Sequence, residues 1–120
     1  MLMIYGIKNC STMKKAFDFI DQAGMAYGFF DYKKQHIGAD VLQGWIDQLG
    51  IEAVINKRGT TWRNLTDQQK SQAEQISGAI PLLQAQPSMI KRPIITDATG
   101  KVVLLGFDEK AYQALGSVDV

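Results

Sequence analysis

The chain has one cysteine, one histidine and three prolines among its 120 residues, and its charges nearly cancel at +1. A single thiol cannot form an internal disulfide. Cys10 with the lone His36 is also too small a donor set for a metal cluster. Near-neutrality provides no field that would recruit nucleic acid or an anionic membrane, so neither is expected as a partner. No apolar run approaches the roughly 18 residues that span a bilayer. The N-terminus lacks a basic region, a long apolar segment and a small-residue cleavage site, so a cytoplasmic location is expected. What is present is a hydrophobic content of 46%, enough for the core of one domain of this length.

Leu2 to Ile7 reads as a short buried strand. From Met13 the apolar residues Met13, Ala16, Phe17 and Ile20 keep the spacing of one helix face, with Ser11 or Thr12 as cap and Gly24 as stop. "MAYGFFDY" (25–32) is aromatic-rich and brief, a second strand. A helical connection makes the two strands parallel, so the first 32 residues form a βαβ unit.

The middle of the chain changes character. Asp40 is placed to cap a helix carrying Leu42, Trp45, Ile46 and Leu49. "INKRGTTWRNL" (55–65) reads as a polar loop. Thr66 and Gln69 have capping-box spacing, and a helix is expected to follow to about Gln75. A further helix is expected over Ala79 to Ala85 with Pro81 in its first turn, closed by Pro87. Residues 34–88 are therefore expected to form a helical insert. Pro93 to Thr96 and Lys101 to Leu105 flank a "DATG" turn (97–100) and form an antiparallel hairpin. Asp108 then caps a last helix through Tyr112 and Leu115. The order βαβ, helices, ββα is that of an α/β thioredoxin-like fold with a mixed four-stranded sheet and a helical insertion, expected as one domain over 1–120.

Cys10 falls in the loop between the first strand and first helix, at the edge where parallel α/β sheets bind ligands. The helix N-terminus stabilises an anion there by roughly 0.3–1 kcal/mol. A thiolate is such an anion, and Lys8 adds positive charge nearby. A free cysteine is often just a small buried hydrophobe. Here its neighbours Lys8, Asn9, Ser11 and Thr12 are polar, which favours a reactive thiol with those residues as substrate contacts.

"IKRPII" (90–95) precedes the third strand, which runs beside the first in this architecture. Lys91, Arg92 and Pro93 can therefore face the Cys10 loop, and the planar Arg fork suits a carboxylate or oxyanion. "NKRGTTWRN" (56–64) offers Arg58, Trp62 and Arg63 as a surface for an anionic or peptide-like substrate. His36 reads as a surface residue.

"YGIKNCSTMKKA" (5–16), "NKRGTTWR" (56–63), "IKRPI" (90–94) and "LLGF" (104–107) together resemble the arsenate reductase/Spx superfamily, most closely its YffB-type members. The similarity runs in order over nearly the whole chain. It implies a thioredoxin-like fold, Cys10 as nucleophile, Arg92 as an oxyanion-binding arginine and Pro93 as a cis-proline. It also implies a thiol reductase that uses glutathione as co-substrate, with no permanently bound cofactor, acting on an oxidised small molecule or protein thiol.

Two departures shape the expectation. The arginines that arsenate reductases of this family add to the site are replaced by Asn56 and Gly106. The second cysteine of the C-x-x-C switch in Spx-type regulators is Met13. A monothiol reductase that takes its second thiol from glutathione is thus the first expectation. The alternatives are an Spx-like, non-catalytic interaction module and a true arsenate reductase.

Overall fold

The apolar N-terminal segment pairs along both of its edges in the computed structural model, which describes residues 1–116. β1 (Leu2–Gly6) lies parallel to β2 (Tyr27–Asp31) and antiparallel to β3 (Ile94–Thr96). β3 pairs antiparallel with β4 (Val102–Leu105), so the sheet order is β2-β1-β3-β4. The chain divides into two compact units, one formed by Met1–Asp31 with the chain from Arg92 onward, the other by Tyr32–Lys91.

The sheet unit follows from period-two burial on β1 and helical burial on α1 (Ser11–Gln22). Leu2 and Ile4 face Met13, Ala16 and Ile20, and Ile95, Leu104 and Tyr112 complete this core. Gly24, at φ 70°, takes the left-handed conformation that ends α1. The β3–β4 turn is gathered by Asp97, whose Oδ1 accepts from the Thr99 N–H at 2.9 Å and the Lys101 N–H at 3.1 Å. α1's first residue is Ser11, and neither Ser11 nor Thr12 is the cap; Cys10 itself holds that position.

The helical unit comprises α2 (Ala39–Leu49), α3 (Ile51–Val54), α4 (Thr60–Arg63), α5 (Asp67–Gln72) and α6 (Ile76–Ala85), then a 3-10 turn at Pro87–Met89. Its buried residues include Leu42, Trp45, Ile46, Val54, Leu83 and Met89. The reciprocal capping box at Thr66 and Gln69 is present.

Four details differ from the sequence-based expectation. α2 is capped at Gly38, one residue before the helix, so Asp40 sits inside the first turn, where its charge suits the helix dipole. The segment 55–65 contains the short helix α4. α5 stops at Gln72. α6 begins at Ile76, because Gly78 lets the Gln72 carbonyl approach where any Cβ would collide. That start leaves Pro81 inside α6; Pro81 and Ser77 are exposed, so the carbonyl deprived of its N–H partner is open to water.

α7 (Glu109–Gly116) returns Tyr112 to the sheet core, where its hydroxyl donates to the Gly106 carbonyl at 2.7 Å. Burial pushes the Tyr112 pKa far up, so the phenol is neutral at every working pH. Tyr112→Phe is expected to lower unfolding stability by about 1–2 kcal/mol, the cost of leaving a carbonyl without its donor. Urea titrations of the two proteins at equal slope check this.

Candidate functional site

The end of β1 and the start of β3 lie side by side because the two strands are antiparallel, with Tyr5 opposite Ile94. The residues after Gly6 and those before Ile94 therefore emerge at one edge of the sheet. A side chain at Gly6 would collide with the Met13 sulfur, at 2.5 Å from the Cβ position, and would lie 3.5 Å from Arg92 Cβ. Glycine at this position leaves the space that the end of the Met13 side chain, from the first turn of α1, occupies.

Within that loop the Cys10 N–H donates to the Lys8 carbonyl at 3.2 Å, and the Cys10 carbonyl accepts the first helical bond from Lys14 at 3.0 Å. Cys10 is thus the N-cap, with extended backbone at φ −149° and ψ 132°. The neutral thiol makes no capping hydrogen bond. Its anion is favoured nonetheless. Partial burial, the largest single influence, opposes ionisation; the Met13 N–H, the Arg92 side chain, the Thr12 N–H and the Arg92 charge together outweigh it. The thiol pKa lies below its ordinary 9.0. α1 has no acidic residue in its first turn and no basic residue in its last, so nothing there competes with a thiolate for the dipole.

The Arg92–Pro93 peptide bond is cis. The Pro93 carbonyl accepts from the Gly106 N–H at 2.8 Å, and Gly106 is held at φ 68°. An arginine at position 106 would have to adopt that left-handed conformation at a cost of roughly 1–2 kcal/mol.

The structure brings Lys8, Asn9, Cys10, Ser11, Thr12, Arg92 and Pro93 together in the sheet unit. Lys8 is exposed and is not among the groups that lower the Cys10 pKa; Arg92 and the helix N–H groups fill that role. Arg58, Trp62, Arg63 and Lys91 belong to the helical unit. There Arg63 Nη2 donates to the Arg58 carbonyl at 3.0 Å, and the Lys57 ammonium sits 5.1 Å from the centre of the half-buried Trp62 ring. The Lys91 N–H donates to the Val54 carbonyl at 2.7 Å. Asn56 uses its side-chain oxygen to accept from the Arg58 N–H at 3.1 Å. Gly6 and Tyr112 support the site although the sequence does not single them out, and Met13 and Gly106 stand out there only as departures from the family pattern.

A cysteine at the N-terminus of the first helix, beside an arginine and a cis-proline at one edge of a mixed four-stranded sheet, defines a thioredoxin-like thiol protein. The chain belongs to the ArsC family, whose model matches residues 5–115. It is similar to an uncharacterized protein of Haemophilus influenzae, 40% identical over 114 residues that cover 95% of this chain and 97% of that one. Among solved structures it is similar to a YffB protein at 43% identity and TM-score 0.87, covering 95% of this chain and 97% of that one. It is also similar to an arsenate reductase-related protein of Brucella melitensis at 38% identity and TM-score 0.73, covering 98% and 95%.

Two outcomes follow from the lowered thiol pKa. Iodoacetamide alkylation of Cys10 is expected to have its midpoint below that of the same thiol in the unfolded chain, and Arg92→Ala is expected to move it up. A midpoint unmoved by Arg92→Ala would remove the guanidinium from the account. The second outcome concerns stability. A folded pKa below the unfolded one means that the unfolded chain binds more protons between the two values. The stability of wild type relative to Cys10→Ser is therefore expected to rise with pH across that interval, to be complete above about 9, and to be lost as pH falls through the folded pKa. Paired denaturation curves at several pH values measure this.

Proposed function

We propose that this protein is a monothiol reductase that uses glutathione as its second thiol. The supporting observation is the half-exposed Cys10 at the α1 N-terminus, its pKa lowered by backbone N–H groups and Arg92, in a chain with no second cysteine. Arsenate reductase relatedness of a similar solved structure supports the same class of chemistry.

In the first step the Cys10 thiolate attacks the glutathione sulfur of a glutathione mixed disulfide. A Cys10–glutathione disulfide forms, and the substrate leaves as a thiolate that takes a proton from water. In the second step a glutathione thiolate attacks the bound glutathione sulfur, which releases oxidised glutathione and restores the Cys10 thiolate. The net change consumes one mixed disulfide and one glutathione, and yields one thiol and one oxidised glutathione. Thiolate fraction and access control both steps.

Arsenate is a poor fit for the same site. A compact, multiply charged oxyanion needs several converging charged donors, and Arg contacts are the strong ones. Gly106 carries a backbone role at φ 68°, and Asn56 belongs to the helical unit. Each missing charged partner costs roughly 1.5–3 kcal/mol, so two could remove two or more powers of ten in rate.

The test incubates wild type, Cys10→Ser and Arg92→Ala with oxidised glutathione and, separately, with arsenate plus glutathione. Intact mass is expected to show one glutathione on wild type, none on Cys10→Ser, and slower loading on Arg92→Ala. Robust arsenate turnover by wild type would overturn the substrate argument, and the absence of any adduct would overturn the reductase reading.

A further inference from the structure

α1 carries a second feature along its length, beyond the cap that bears the thiol. Lys14, Phe17 and Asp21 follow one another at spacings of three and four residues, which sets them on one stripe of the helix whose N-cap is Cys10. At the far end of that stripe α1 meets the edge strand β2. Lys8, Phe17, Asp21, Tyr27 and Phe29 line a surface groove of about 420 Å³ there.

The floor of this groove is aromatic. Tyr27 and Phe29 lie opposite Leu2 and Ile4 in the β1–β2 register and so share the α1 side of the sheet. The Phe17 ring centre is 5.8 Å from that of Tyr27 and 5.2 Å from that of Phe29, in an edge contact with the latter. All three rings are only half-buried. Burial and the neighbouring Asp21 carboxylate raise the Tyr27 pKa, which puts the carboxylate beside the phenol at the groove's end. Lys8 and Asp21 give the groove lining opposite charges, and the exposed Lys14 lies on the same stripe of α1 as Phe17 and Asp21.

We infer that this groove is the subsite for the protein partner of the exchange: it takes an apolar or aromatic residue about three positions from the partner's glutathionylated cysteine, followed by a basic residue. The inference rests on the proposed reductase reading and names its substrate class. A helix rises 1.5 Å per residue, so Phe17 lies about 10 Å along the axis from Cys10 and Asp21 about 6 Å further. An extended peptide advances about 3.3 Å per residue. The partner's cysteine, the leaving group, stands one S–S bond beyond the glutathione sulfur that meets Cys10. A partner placed so brings a side chain to the rings after about three residues and one to Asp21 after about two more. Glutathione's carboxylates on the partner match the two lysines, the ring of the partner matches the aromatic floor, and a lysine or arginine matches Asp21.

The test compares blocked peptides carrying an S-glutathionylated cysteine, a phenylalanine three positions away and a lysine two positions beyond it, built in both chain directions. Companion peptides replace the phenylalanine by alanine or the lysine by glutamate. Wild type is expected to reduce the phenylalanine peptide about tenfold faster in kcat/KM than its alanine companion in one of the two directions. Phe17→Ala is expected to bring that ratio below about twofold, and Asp21→Lys to reverse the preference for lysine over glutamate. Each ratio is taken within one protein preparation, so partial unfolding does not alter it. Equal rates on all peptides, with the glutathione–cysteine mixed disulfide still reduced by wild type, would overturn the groove and spare the reductase reading. Failure on the small mixed disulfide as well would overturn the reductase reading. The groove is then judged by a serine-for-cysteine peptide, whose binding must shift the resonances of Phe17, Tyr27 and Phe29 for the subsite to stand.

Discussion

The antiparallel pairing of β1 with β3 is the constraint on which the chemistry of the sulfur depends. It brings the end of the first strand, and the helix that follows, beside a segment more than eighty residues later in the chain. Arg92 and Pro93 stand at this edge only while the register holds Tyr5 opposite Ile94. A one-residue slip would turn Leu2 and Ile4 away from Met13, Ala16 and Ile20, so the packing of α1 locks the register. Core burial and thiol activation are therefore one constraint read from two sides. Gly6 is where they meet: its missing side chain leaves room for the buried end of Met13, and its Cα stands beside Arg92.

α1 runs against its own dipole. Lys14 and Lys15 lie near its positive end, Asp21 lies in its last turn, and no acid stands in the first turn. Each favourable terminal charge would contribute roughly 0.3–1 kcal/mol. Burying Met13 and Ile20 contributes on the order of 1.5–3 kcal/mol each, so packing outweighs the forgone charges. The helix is held by its apolar face, and its N-terminal field remains available to the Cys10 anion.

Much of this organisation was legible in the sequence. The short apolar run from Leu2 to Ile7 revealed β1, the spacing of Met13, Ala16 and Ile20 revealed α1, and "DATG" revealed the β3–β4 turn. Capping was less legible. Serine and threonine are much better cap residues than cysteine, yet Cys10 takes the position because the loop from Lys8 turns one residue earlier. The cation beside the thiol was Arg92 rather than the nearer Lys8, since a neighbour two positions along the chain need not point at the same space. Gly106 likewise shows its purpose only in three dimensions, through the Pro93 and Tyr112 hydrogen bonds at its two polar groups.

The opposing influences on Cys10 bear on how such a thiol selects its partner. In disulfide exchange a lower pKa raises the thiolate fraction but weakens each thiolate as a nucleophile, and the best attacking thiol titrates near ambient pH. Burial resists ionisation at Cys10 while the N–H groups and Arg92 promote it, so the depression is a balance of contrary terms rather than an unopposed pull. On the proposed reductase reading, such a thiol would react with any accessible disulfide of suitable polarity, because the groups that lower its pKa belong to the protein and not to the substrate. Discrimination among partners must then reside in surfaces beyond the sulfur. In the sheet unit the aromatic groove on α1 is the surface we propose for that role: it lies along the helix that Cys10 caps, so groove and thiol are held at a fixed separation by the rise of one helix.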